Sequence, residues 1–201
     1  PITNSGKVEA ASGGLNYAGG LVGLAQGEVK FSAGSANSGA VTVNAPASVG
    51  AYAGGLAGAI AARRERHFFT TSFANSGNIE NRGGVNVYTG GLAGFVGTTF
   101  IWSEPFTNTV SVTASGAKEV HTGGVIGGAA GEIRFRSAVL NEGPITVSGT
   151  LPGQPTEAST GGVVGSTGSR LFFENESPLA YGNSGTIAVS GGAGLYTGGL
   201  T

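Results

Sequence analysis

Residues 87–94 read VYTGGLAG, and close variants return along the chain: NYAGGLVG at 16–23, AYAGGLAG at 51–58, VHTGGVIG at 120–127, STGGVVG at 159–165 and LYTGGL at 195–200. The first glycine of each pair falls at 19, 54, 90, 123, 161 and 198, so the spacings run from 33 to 38. A second marker alternates with the first. It reads NSGKV at 4–8, NSGAVTV at 37–43, NSGNI at 75–79, NTVSV at 108–112, NEGPITV at 141–147 and NSGTIAV at 183–189. Between each glycine pair and the next asparagine lies a more variable Phe-bearing element: EVKFS, HFFTTSF, TFIWSEPF, EIRFRS and RLFFENES.

Each repeat therefore reads as three short strands: a GG strand, a Phe strand and an N-S-G-x-[IV]-x-V strand. Alternation of period two is clearest in the last, as in Val41-Thr42-Val43, and no helical period persists. A fixed period of this size marks a solenoid, a propeller or an array. The pattern predicts an all-β parallel β-solenoid (β-helix) of five to six three-stranded coils, about 36 residues per coil. The asparagine is expected in a left-handed turn, donating its amide along the stack, with the next glycine at positive φ. A six-bladed β-propeller is the alternative, although about 36 residues is short for a four-stranded blade.

Composition narrows the function classes. Of 201 residues, 40 are glycine; 10 basic residues face 11 acidic ones, so no basic field draws nucleic acid. All the acids are glutamate, and cysteine and methionine are absent. No disulfide or thiolate metal site is available, and no apolar run approaches a membrane span. The opening PITNSG falls in mid-pattern, so residues 1–201 are expected to form a single repeat domain within a longer protein.

The [YH]-[AT]-G-G-[LV]-x-G string alternating with N-x-G-x-[IV] resembles the GLUG-type repeats of bacterial surface proteins. It is also similar in outline to the repeats of autotransporter passengers and filamentous adhesins. The resemblance spans essentially the whole chain. It implies an extracellular, cell-surface β-solenoid segment of an adhesin or fibre, with no catalytic residues to carry over.

Candidate chemistry is sparse. TGGVVGSTGSR at 160–170 lacks the lysine and the helix of a phosphate loop. His67 and His121 lie in different repeats without ligand spacing, and calcium-binding β-rolls need the aspartate this chain lacks, so neither metal nor cofactor is expected. A carbohydrate-active β-helix enzyme is an alternative function, but it requires paired carboxylates, and Glu174 with Glu176 is the only close pair. Arg63, Arg64 and Arg66 in ARRERHFF are candidates for an anionic partner, such as a sulfated glycan, or else cover the coil surface.

Two columns precede the glycine pair. Tyr17, Tyr52, Tyr88, His121, Ser159 and Tyr196 form a ladder that, if exposed, is a platform for sugar rings or a protein groove. Ala18, Ala53, Thr89, Thr122, Thr160 and Thr197 follow; a threonine ladder raises an ice-binding alternative, against which the uneven period argues. Pro/Gly-rich excursions at 149–159 and 174–182 read as loops, the second containing the sequon Asn175-Glu176-Ser177. Neither end has an atypical capping repeat, so stacking of the chain on itself end to end is expected, beside host or cell-surface glycan and protein partners.

Overall fold

The computed structural model describes residues 1–61, 66–116, 118–149, 157–174, 181–191 and 194–199. Arg63, Arg64, Glu176, the Asn175 sequon and most of the two excursions lie outside these. Every ladder is parallel, and each strand pairs with its counterpart one repeat away. The chain is a parallel β-solenoid of five to six coils.

All three kinds of segment are present: the GG and asparagine segments are divided, and the Phe segment is a strand in four coils. In the second coil the strands are Val41–Ala45, Ala51–Gly54, Ala57–Ile60, Arg66–Phe69 and Phe73–Asn75. The GG segment breaks at the glycine pair, and the asparagine segment breaks at Ser-Gly. The valine and GG sheets each hold six strands, the sheet after the glycine pair five, and the Phe sheet four. EVKFS at 28–32 forms no strand, although the ring of Phe31 still packs 5.6 Å from that of Phe69. Glu157–Gly161 and Tyr181–Asn183 are strands that reach into the expected loops.

The glycine pair kinks the chain so that residues on its two sides face differently. Leu56, Leu92, Val125 and Val163, just after the pair, are buried. Tyr52 and Tyr88, two residues before it, are only half-buried and turn outward. The glycines that follow the asparagines do not take the positive φ expected of them. Among the described residues only Gly34, Gly83, Gly84 and Gly191 have positive φ, and no asparagine does. The repeated glycines are small because backbone lies against them. A Cβ on Gly94, the third glycine of its motif, would stand 2.8 Å from both N and O of Ala53 in the preceding coil. Gly58, Gly127 and Gly165 meet Ala18, Thr89 and Thr122 in the same way.

The second glycine of each pair explains why the two sequence markers travel together. A Cβ on Gly55 would stand 2.5 Å from Cγ of Asn75, and Gly20, Gly91, Gly124 and Gly162 press equally on Asn37, Asn108, Asn141 and Asn183. One apolar cluster lies along the chain from the glycine pair to the asparagine and includes Leu92, Phe100, Trp102 and Phe106. The other lies from the asparagine to the next pair and includes Val41, Val43, Ile79 and Val87. The coil thus has two lobes, pinched where asparagine meets glycine.

Along this waist the asparagines form a hydrogen-bonded ladder. Nδ2 of Asn4 donates to Oδ1 of Asn37 at 2.8 Å, Asn37 to Asn75 at 2.8 Å, Asn108 to Asn141 at 2.7 Å and Asn141 to Asn183 at 2.6 Å. The same amides also donate to the carbonyl two residues on, as Asn37 does to Gly39 at 2.8 Å. The ladder breaks once, between Asn75 and Asn108. Oδ1 of Asn108 is buried without a hydrogen-bond partner, and the asparagine strands divide there into two sheets of three. The cause is Val110, which stands where other repeats have glycine. A Cβ on Gly39 or Gly77 would overlap the carbonyl oxygen of the coil before it, so the valine-bearing corner cannot seat as closely.

Candidate functional site

The GG sheet is in register through all six coils, pairing Tyr17 with Tyr52, Tyr52 with Tyr88, Tyr88 with His121, His121 with Ser159 and Ser159 with Tyr196. The column therefore exists as a spatial ladder on the outer face. The rings stack on one another: centroids are 4.7 Å apart for Tyr17 and Tyr52, 5.3 Å for Tyr52 and Tyr88, and 4.7 Å for Tyr88 and His121. Phe95 from the neighbouring sheet sets its edge against Tyr52 and Tyr88, at 6.0 and 5.0 Å. Tyr88 also lies over Gly128, where a Cβ would stand 2.6 Å from Cδ1 of the ring.

This packing determines what the ladder can do. Aromatic faces between Tyr17 and His121 are spent on each other, so a ligand meets ring edges and polar tips rather than open π faces. Burial raises the Tyr52 and Tyr88 phenols above the usual range, helped at Tyr88 by the charge of Glu119, so both remain protonated donors at neutral pH. At His121 burial holds the imidazole below its ordinary value, opposed by Glu119 and Glu157. Its Nε2 lies 3.9 Å from Glu119. Ser159 interrupts the aromatic run, and Tyr196 stands apart, 66% exposed.

The adjacent column faces the interior. Thr89, Thr122 and Thr160 are buried, and their hydroxyls find no hydrogen-bond partner. They offer solvent no flat hydroxyl array, which removes the feature that suggested ice binding.

Charge gathers on the outer face of the Phe sheet, a grouping the spacing of single residues did not reveal. Arg134 pairs with Glu132 at 2.6 Å and with Glu174 at 2.5 Å; Arg136 pairs with Glu174 at 2.9 Å. The Arg134 guanidinium also sits 4.3 Å from the ring centroid of Phe172. Hydrogen bonds from Arg134 hold the Glu132 carboxyl below its usual range, and bonds from Arg136 and Arg134 do the same for Glu174. Arg66, the one described arginine of ARRERHFF, is exposed and adds its charge to the field on Glu132. Phe68 beside it is 51% exposed. No group of three potential metal ligands occurs among the described residues.

A cavity of about 710 Å³ opens at the last coil, lined by Val164, Ser166, Leu171, Leu195 and Tyr196 among others. It lies beside Gly194–Gly198.

The fold defines the class of protein: a parallel β-solenoid whose repeating markers are spent on stacking one coil against the next. In comparisons with known proteins the chain matches no family model, no curated protein and no solved structure.

Proposed function

We propose that this chain is a non-catalytic structural and adhesive module of an extracellular surface protein or fibre, of the GLUG-type repeat kind. One observation carries the reading. Asparagine, glycine and threonine, the recurrent polar and small residues, point inward or lie between coils, while the recurrent outward feature is the stacked Tyr17–His121 ladder. A rigid rod with a protonated phenol edge along one side suits recognition of a glycan or protein surface by hydrogen bonds from Tyr52 and Tyr88. The catalytic alternative finds less support. Glu132 and Glu174 flank Arg134, but ion pairing keeps both carboxylates ionised, which leaves no general acid of the pair at neutral pH.

The test is binding of the intact chain to arrayed surface glycans and to host cells, with Tyr52→Ala/Tyr88→Ala as the comparison. Loss of binding with an unchanged circular-dichroism spectrum supports the ladder as the contact. Unchanged binding removes the ladder from the function, and turnover of any arrayed polysaccharide removes the non-catalytic reading.

A further inference from the structure

We infer that the aromatic ladder lacks one rung, at Ser159, and that the gap is a slot for the planar cation of an arginine side chain on a protein partner. The inference rests on the reading of the ladder as the molecule's contact surface and names the chemistry that one part of it takes.

The slot follows from the register. Tyr88, His121, Ser159 and Tyr196 occupy one column in four successive strands. The His121 ring lies 4.7 Å from that of Tyr88 and within 18° of parallel, so its other face is turned to the coil of Ser159. Among the described residues no ring stacks on that face. Two strand spacings, about 9.6 Å, separate the positions of His121 and Tyr196. Rings lower in the ladder sit 4.7 to 5.3 Å apart, so the gap holds one further flat group between His121 and Tyr196. A Cβ on Gly194 would meet Cε2 of Tyr196 at 3.8 Å, as one on Gly50 meets Cε2 of Tyr52 at 3.1 Å, so both rings lean the same way along their strands. Phe95, which backs Tyr52 and Tyr88 from the neighbouring sheet, is followed in register by Gly128 and then Ser166. The ring that closes the side of the ladder lower down therefore has no equivalent beside the slot.

Charge selects what fills it. Glu119 and Glu157 stand directly opposite each other, two residues before His121 and Ser159. Like charges so placed oppose folding. Lys118 reaches Glu119 at 3.5 Å, but among the described residues no cation pairs with Glu157, which is exposed. Burial holds His121 below its ordinary value, so the imidazole adds no positive charge at neutral pH. The added Cβ on Gly194 would also lie 3.6 Å from Cγ of Glu157, so the carboxylate-bearing chain and the Tyr196 ring converge at the rim of the slot. The group suited to this place is flat, cationic and able to donate hydrogen bonds to a carboxylate while its faces lie on rings. A guanidinium has all three properties; an ammonium is a compact point charge without a face.

The experiment is NMR titration of the intact 201-residue chain with a tripeptide amide carrying one arginine between two glycines, beside its lysine counterpart and glucosamine. The arginine peptide is expected to shift the Ser159 and Tyr196 amides and to bind about threefold or more tighter than the lysine peptide. Ser159→Tyr supplies the missing rung from the chain itself and is expected to weaken arginine-peptide binding about tenfold or more. Glu157→Gln, at an exposed side chain, is expected to weaken it about threefold while leaving the packing intact. Absence of a shift at Ser159 overturns the proposal, and so does equal binding of the two peptides or tighter binding of glucosamine. A folded Ser159→Tyr variant, or a Glu157→Gln variant, that binds like wild type overturns it as well. Both variants keep Tyr52 and Tyr88, so glycan and cell binding through those residues is read separately. A slot that fails beside retained Tyr52- and Tyr88-dependent binding leaves the adhesive reading standing.

Discussion

Asn37 donates one amide hydrogen to Oδ1 of Asn75 at 2.8 Å and the other to the carbonyl of Gly39, at the same distance. A single buried side chain thus joins two coils and fastens its own corner. Its Oδ1 meanwhile accepts from Asn4. Replacing such a residue leaves buried partners unmatched on both sides. Asn141→Ala, in an unbroken part of the ladder, is expected to cost about 2–3 kcal/mol in urea denaturation, since each orphaned buried group costs about 1–3 kcal/mol. Asn4→Ala, at the exposed end, is expected to cost less than half as much.

The missing link between Asn75 and Asn108 leads to a prediction at Val110. In intact corners the N–H after the asparagine bonds the asparagine carbonyl of the coil before, as Ser76 does to Asn37 and Glu142 to Asn108, both at 2.8 Å. No such bond joins Thr109 to Asn75. Val110→Gly is expected to let the corner seat and to slow hydrogen exchange at the Thr109 amide by about tenfold or more. Stability should change little, because the lost burial of the valine offsets the gained bonds. Unaltered exchange at Thr109 would show that the valine is not what opens the ladder.

The third glycine of the repeat is predicted to resist replacement. Gly94→Ala forces a Cβ to 2.6 Å from O of Gly58 and 2.8 Å from the backbone of Ala53, where no flexible side chain can give way. The expected cost exceeds about 2 kcal/mol. Gly27→Ala, with nothing within 4 Å, is the control and should stay within about 0.5 kcal/mol of wild type. Equal effects at the two sites would contradict the close-approach account.

Acid sensitivity should carry a signature of His121. Burial lowers its folded-state pKa from an ordinary value of 6.5, so the unfolded chain binds the proton more readily. Its contribution is therefore fully present above about pH 6.5 and is lost as pH falls through the folded value. Glu132 and Glu174, also held below their ordinary 4.5, act in a separate and lower window. His121→Tyr extends the stacked column and removes the titration. Urea midpoints measured from pH 7.5 to 5 should fall less in the variant than in wild type, and parallel slopes would sink this assignment.

Architecture was legible because the markers are periodic. Glycine pairs recurring every 33–38 residues lie in one sheet, and the asparagines in one column, as their spacing required. Two things could not be read so directly. The orientation of the tyrosines depended on a kink at the glycine pair, and period-two alternation carried through those glycines would have put Tyr52 and Leu56 on one face. The glycine after the asparagine was misread as needing positive φ, because composition cannot separate conformational freedom from lack of room. The Glu132–Arg134–Glu174 cluster was missed since its members are adjacent only after coiling: Arg134 and Glu174 are 40 residues apart in the chain.

The asparagine–glycine waist has a further consequence for how such a chain can vary. The contact at the waist recurs in five glycine–asparagine pairs, yet Asn37 follows Gly20 by 17 positions, Asn75 follows Gly55 by 20 and Asn183 follows Gly162 by 21. The pinch works as a spine to which leaves of unequal size are bound. Residues added to a lobe swell it sideways and leave the rise of the rod untouched, so surface features can be rewritten coil by coil while the pitch of the molecule is inherited unchanged.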